Sequence, residues 1–346
     1  MSTRLLSIRF PWLATDLARR RRVRRMAKNS RLNGKASSKK SVFQNNGYEG
    51  VLVNPQDTEP GWDRPILVVG MHHGVRRVID CCLMASQRGI QKGMTLAEAK
   101  ALAMPETSGI RRSLLTTGGE KIQYTEPVLV VAPTPVRNQR SLRRLAENCL
   151  RFAPVTAIDE PAGITLDLTG CRRMLDRRGG EIGLLDRIEH AFQKSNLQIN
   201  TAIADTAVAA RAWAGYRLEG TRSDDAVRTR IIPPGRQSEF LASLPVECLG
   251  LAAETLDAIH EVNVRSVGEL QGLPRSTLPV RYGGAVLCRL DQAMGRLPLV
   301  LDPVRPRITV SERLEFNGPV RSRQAIELAI AELLHRVRGR LEDLES

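Results

Sequence analysis

The sequence predicts an α+β protein, and three observations carry that expectation. Strand-like and helix-like segments alternate through the first two thirds of the chain, with one pair spaced as a β-hairpin. Beyond IIPPG (231–235) the pattern turns to short helices separated by Gly and Pro. A strand-like run from Arg305 and a long helical pattern follow. At 346 residues the chain is too long for one compact core, so two to four domains are expected.

The elements follow in order. RLLSIRF (4–10) reads as a buried first strand, and the basic, Asn- and Gly-rich stretch to about Pro65 reads as loop. ILVVG (66–70) and VLVVAP (128–133) read as strands. Between them GMTLAEAKALA (93–103) is a short helix that Thr95 caps, with Glu98 three residues on in a capping box. RSLRRLAENCLRFA (140–153) carries Leu142, Leu145 and Cys149–Leu150 at helical spacing. VTAIDE and ITLDLTG form a hairpin around Pro161–Gly163. GGEIGLLDRIEHAFQKSN (179–196) is an amphipathic helix, LQINTAIA (197–204) a strand, and DTAVAARAWAGY (205–216) an Ala-rich helix. Together these make a mainly antiparallel sheet with helices on it. RQSEFLASLP, AAETLDAIHEVNV, SVGELQGLP and LPVRYGGAVLCRLDQAMG are the short helices that follow, and RPRITVSERLEF then reads as a strand before a final helix.

The net charge is +15, which points to a polyanionic partner, most commonly nucleic acid. Eleven Lys and Arg and no acid lie between Arg19 and Lys40. Such a run repels itself, so it is expected as a mobile basic arm or loop, either adding phosphate contacts or tolerated without a role. No stretch of 18 apolar residues is present, and the apolar start precedes the arginines, the reverse of a secretory signal. Six cysteines form no CxxC, which suits a reducing cytoplasm, and His72, His73, Cys81 and Cys82 match no common zinc spacing.

AIDEPAGITLDLTG (157–170) sets Asp159 beside Glu160 at a strand end, with Asp167 on the next strand. Adjacent carboxylates there are part of the donor set for two-metal phosphoryl transfer, provided a second strand adds its own. The other reading is a hairpin end without chemistry, with Asp167 bonding nearby backbone.

In this order the segments resemble the Y-family translesion DNA polymerases, with a palm, inserted fingers, palm again, a helical thumb and a little finger. AIDEPAGITLDLTG is similar to the family's second metal motif, and ASQRGIQKGMTLAEAKAL to its fingers motif, with the Gly-Ile-x-x-Gly-Met core intact at Gly89–Met94. TLDAIHEVNVRSVGELQGLP resembles the thumb's helix-hairpin-helix. SIRFPWLATD, DLTGCRRML, IADTAVAARAWAGY and LDQAMGRLPLVLDPVRP resemble the ImuB branch, whose members keep the architecture and are regarded as having lost catalysis. The resemblance divides the chain into a first palm strand (1–11), basic insert and fingers (12–112), palm (113–231), helix-hairpin-helix thumb (232–304) and a partial, truncated little finger (305–346).

Residue by residue, the resemblance implies a lost site. The first-strand metal ligand of active members falls at Ser7 or Arg9, a poor Mg²⁺ ligand and a cation. Two triphosphate contacts in the fingers fall at Leu83 and Ser86, and a triphosphate-pairing Lys falls at Ala207. Asp159 and Glu160 are then remnants that could hold one Mg²⁺ weakly, and no other cofactor is expected. Arg9 is expected to pair with one of them in place of the ion. DNA contacts are expected at Gly250 and Gly268 of the hairpins and at Arg265, Arg275, Arg281, Arg289, Arg307 and Arg313. The function implied is a non-catalytic scaffold that binds primer–template or damaged DNA for error-prone synthesis in the bacterial SOS response. Its implied partners are DNA, a RecA-like accessory protein, the error-prone polymerase III alpha subunit and the sliding clamp, although no Gln-x-x-Leu-x-Phe-type clamp peptide is present. No membrane partner is expected. The alternatives are an active translesion polymerase with an atypical metal site, and a decayed polymerase remnant.

Overall fold

Leu6, Ile8 and Phe10 alternate with Ser7 and Arg9 along β1 (Leu5–Arg9), so the strand has one apolar face and one mixed face. A computed structural model describes residues 3–32, 41–45, 48–52, 64–103, 128–177, 179–216, 230–305, 311–316 and 318–345. They form two units, Met1–Val304 and Arg305–Ser346.

After β1 the chain enters α1 (Leu13–Leu32), so residues 19–32 of the basic run are helical rather than loop. Arg, Lys, Met and Ala favour helix, and Leu13 and Leu17 bury themselves in the core, while Arg19 to Arg22 are half-buried and Arg24 and Arg25 exposed. Residues 33–40 of the run lie outside the described residues. A second departure follows, a hairpin of β2 (Ser41–Asn45) and β3 (Tyr48–Leu52) where loop was expected. β4 (Ile66–His72) and β5 (Val75–Cys81) form another hairpin, whose second strand the sequence reading missed because its mixed Arg, Val and Asp composition lacks alternation. α2 (Leu83–Gln87) and α3 (Leu96–Ala103) follow, and β6 (Leu129–Val131) joins β4 in parallel. The Thr95–Glu98 capping box forms, with Glu98 accepting from Thr95 N at 2.7 Å.

α4 (Pro135–Cys149) leads to the hairpin of β7 (Val155–Asp159) and β8 (Gly163–Asp167). α5 (Arg172–Asp176) and α6 (Gly180–Gln193) precede β9 (Asn200–Ala204), and α7 (Ala207–Tyr216) follows it. The main sheet runs β7-β8-β1-β9, antiparallel throughout. On its apolar face Leu6, Ile8, Ile164, Leu166 and Ile203 pack with Leu142 and Ala146 of α4 and with Leu184, Leu185, Ile188 and Phe192 of α6. α7 packs across β1 and β9 on the other face. Buried Arg4 locks the start of β1, bonding Glu181 at 2.7 Å, Asp205 at 2.9 Å and the Ile232 carbonyl at 3.0 Å.

The helical region comprises α8 (Gln237–Ala242), a 3-10 turn (Val246–Leu249), α9 (Ala253–Glu261), α10 (Val267–Gly272), α11 (Thr277–Tyr282) and α12 (Gly284–Met294). Gly283, at φ +84°, splits what the sequence suggests as one helix into two. These helices share a core with the small residues of α7, including Val208, Ala209 and Ala212. The chain then returns to the sheet edge, where Val304 N donates to the Thr156 carbonyl at 2.7 Å and Pro303 bridges Ala157. In the second unit α13 (Arg323–Glu345) is helical as expected, but residues 311–316 form no strand. A strand needs a ladder partner, and none is present among the described residues of that unit.

Candidate functional site

The mixed face of the sheet gathers Ser7 and Arg9 of β1, Ala157 and Asp159 of β7, Gly163 and Thr165 of β8, and Ala202 of β9. Register places them together: Ser7 lies opposite Thr165 and Ala202, and both Arg9 and Asp159 lie opposite Gly163. β1 and β7 flank β8, so at this row only a glycine stands between Arg9 and Asp159. A Cβ on Gly163 would stand 2.6 Å from Arg9 Nη1 and 2.9 Å from the Asp159 carbonyl. The missing side chain is what lets the Arg9 guanidinium cross β8 and reach Asp159 Oδ2 at 3.2 Å. The expected Arg9–Asp159 pair thus forms.

A second arginine completes the arrangement. Arg211 of α7 places Nη1 3.5 Å from Asp159 Oδ1 and donates through Nη2 to the Leu249 carbonyl at 3.0 Å. The sequence reading missed Arg211, although it sits one helical turn beyond Ala207, on the same face as the triphosphate position that resemblance assigned. Asp159, Arg9 and Arg211 are each about one-fifth exposed, at 19%, 23% and 20%. Burial pulls the Arg9 guanidinium below its usual value, Asp159 opposes that and Arg211 adds to it. One carboxylate thus sits between two part-buried cations.

The other predicted carboxylates do not converge on Asp159. Glu160 is exposed and accepts from Gln139 Nε2 at 3.4 Å. Asp167 accepts from Thr169 N at 2.8 Å, the local backbone bond expected of it. Ser7 is fully buried, and its hydroxyl has no hydrogen-bond partner among the described residues. No cluster of three His, Cys, Asp or Glu suited to a metal is found among the described residues. This donor set does not fit a two-metal centre: its one inward carboxylate already faces two guanidiniums, which repel a divalent cation.

Beside Asp159 lies a cleft of about 210 Å³ lined by Ala157, Thr165, Ala207, Arg211 and the segment Leu299–Asp302. Ala207 is therefore placed where resemblance put it, but contributes a methyl group. Leu83 and Ser86 lie on α2, are exposed, and do not line this cleft.

The helical region holds most of the expected DNA contacts. Gly250, at φ +69°, ends the 3-10 turn and lies under Arg211, whose Nη2 would be 2.7 Å from a Cβ there. Gly268 is used for packing rather than for a phosphate: a Cβ would meet the Ala242 carbonyl at 3.0 Å. The hairpin N–H groups are already taken, since Glu269 accepts from Arg265 N at 2.7 Å and Ser266 N at 3.0 Å in a capping box. Arg275 is held bidentately by Asp291 at 2.9 and 2.8 Å, Arg289 donates to Gln292 at 3.2 Å, and Arg313 pairs with Glu315 at 3.0 Å. Arg265 and Arg281 are exposed and form no ion pair among the described residues, with Arg281 stacked 5.9 Å from the Tyr282 ring. Arg307 lies outside the described residues.

Comparison with solved structures decides the fold. The insertion ternary complex of Dbh DNA polymerase matches with a TM-score of 0.54 at 14% identity, covering 86% of this chain and 69% of that one. DinB from Sulfolobus solfataricus matches with a TM-score of 0.53 at 13% identity, covering 87% and 69%. The fold is that of a Y-family DNA polymerase. In sequence the chain is similar to ImuB: it is 33% identical over 217 residues to Protein ImuB of Caulobacter vibrioides, covering 62% of this chain and 45% of that protein. It is 22% identical over 280 residues to DNA polymerase IV of Caulobacter vibrioides, covering 80% and 60%. The chain thus spans about half the length of the ImuB relative. No family model matches it.

Proposed function

We propose that this chain is a non-catalytic DNA-binding member of the error-prone DNA-damage machinery. It takes the place of a polymerase on primer–template or damaged DNA and serves as a scaffold for synthesis by another enzyme. The observation that carries this reading is the Asp159 carboxylate held between Arg9 and Arg211, at 3.2 and 3.5 Å. Two-metal phosphoryl transfer needs open carboxylates that bracket two Mg²⁺ ions. Here the positive charge at that carboxylate is covalently attached and cannot hold a nucleotide's leaving oxygen and a primer end at once. Exposed Arg265 and Arg281, with the +15 net charge, support electrostatic DNA binding. The likeness to ImuB supports a setting in DNA-damage tolerance, and with it the RecA-like protein, the polymerase III alpha subunit and the sliding clamp as partners.

Primer extension on a damaged and an undamaged template, with Mg²⁺ and with Mn²⁺, tests the reading. The expected result is binding without incorporation. Incorporation that Asp159→Ala abolishes would replace the scaffold with an active polymerase.

A further inference from the structure

A scaffold needs a surface that DNA leaves free, and the sheet supplies one. The Asp159 row and α7 occupy one face, while α4 and α6 cover the opposite, apolar face. Between the C-terminal half of α6 and the end of α4 lies a cleft of about 810 Å³. Arg151, Arg187, His190 and Lys194 line it, with Phe152 and Ala191 supplying an apolar floor. Arg151 stacks over the Phe152 ring at 4.6 Å. The Arg187 Nε is anchored on the Gly183 carbonyl at 3.1 Å, whereas its buried Nη2 has no hydrogen-bond partner among the described residues. The cleft's one carboxylate, Asp186, is drawn aside by Arg230 at 3.2 Å.

From this geometry we infer that the α4–α6 cleft is a protein-docking site for an acidic peptide segment bearing an apolar side chain. Carboxylates of such a segment would meet Arg187 and Lys194, and its apolar side chain would rest on Phe152 and Ala191. Guanidinium–carboxylate pairs are geometrically selective, and the cationic side chains of Arg151, Arg187 and Lys194 around one cleft favour an acidic segment. A DNA backbone is the poorer occupant for two reasons. The cleft lies on the far side of the sheet from the Asp159 face. Its floor is also apolar, offering a phosphate nothing. Lys194 and Arg151, near the helix C-termini, also offset the helix dipoles, but that role does not require Arg187, which sits mid-helix. The inference extends the scaffold reading by naming where a protein partner sits.

The test uses the full chain and two fluorescent probes read by anisotropy: a twelve-residue peptide alternating Glu and Leu, and a single-stranded oligonucleotide. Arg187→Glu with Lys194→Glu is compared with Arg265→Glu with Arg281→Glu, so that both variants change net charge equally. The cleft variant should weaken peptide binding at least tenfold and leave DNA binding within twofold, and the thumb variant should do the reverse. Arg151→Glu, which leaves the α6 anchor untouched, should weaken the peptide several-fold and covers the case in which the double variant misfolds. Equal peptide losses in both variants would reduce the effect to bulk charge and overturn the site. DNA loss in the cleft variant would assign the cleft to nucleic acid instead. Primer extension is scored separately, so an active enzyme would sink the scaffold reading without touching the cleft result.

Discussion

Asp159→Asn is the sharpest test of the arginine clamp. The substitution keeps shape and removes the one negative charge between Arg9 Nη1 at 3.2 Å and Arg211 Nη1 at 3.5 Å. At an effective dielectric of about 20, each contact has a gross Coulomb energy of about 5 kcal/mol. Desolvation cancels most of this, and breaking a fully buried pair by removing one partner costs roughly 3–5 kcal/mol. The three side chains are about one-fifth exposed, so screening brings the expected loss to about 2–3 kcal/mol. For a chain of this size that is a fall in melting temperature of about 4–6 °C, at roughly 2 °C per kcal/mol. Differential scanning calorimetry at pH 7.5 in low salt, with EDTA and with millimolar Mg²⁺, reads it. A drop that is the same in both conditions fits the clamp. Unchanged or higher stability in EDTA, together with Mg²⁺ stabilisation of the parent alone, would show a carboxylate waiting for a metal and refute the reasoning.

Gly163→Ala should destabilise by about 1–3 kcal/mol, because its Cβ meets Arg9 Nη1 and the Asp159 carbonyl; thermal melting checks it, and Arg9→Met should relieve only part of the loss. In DNA titrations across salt, Arg281→Ala and Arg265→Ala should each reduce the slope of log affinity against log salt by about 0.7–0.9, whereas Arg275→Ala should change it less because Asp291 holds that guanidinium. A slope change largest for Arg275→Ala would reverse the assignment of these arginines. Asp16 is buried, and desolvation raises its carboxyl to about 6 from 3.8 despite the bond it accepts from Gln198 N at 3.0 Å. The folded state therefore holds this proton more tightly than the unfolded chain. Its contribution to stability is greatest below about pH 4 and falls as pH rises through 6, by at most about 3 kcal/mol at 1.36 kcal/mol per unit. Asp16→Asn should flatten the melting profile between those values, and a profile that keeps its slope would rule Asp16 out as its source.

Much of the site was readable from local chemistry. The alternation of Leu6, Ile8 and Phe10 with Ser7 and Arg9 announces a strand with two unlike faces. Pro161–Gly163 announces the hairpin whose end carries Asp159. The Arg9–Asp159 pair could be anticipated because the resemblance puts an arginine where active relatives carry a metal ligand, leaving a carboxylate in need of a cation. The basic run went the other way: composition suggested a loop, but helix propensity and the burial of Leu13 and Leu17 prevail in α1. Charge counts alone also overstate Arg275, since its ion pair is made with Asp291, which only folding brings beside it.

By itself the sequence determined the α+β class, the antiparallel hairpin and the run of short helices. Each follows from periodicity, turn chemistry or residue type, all of them local properties of the chain. Tertiary structure alone decided that Arg211, 52 residues beyond Asp159, is its second partner, and that Gly163 opens the path for the first. It also decided that Gly268 serves helix packing, and that Arg151 and Arg187 share one cleft. Those outcomes depend on sheet register and on which helix covers which face. Long-range packing settles both, because the free energy of burying Leu6 and Ile8 against α4 and α6 outweighs the preference of any single polar side chain.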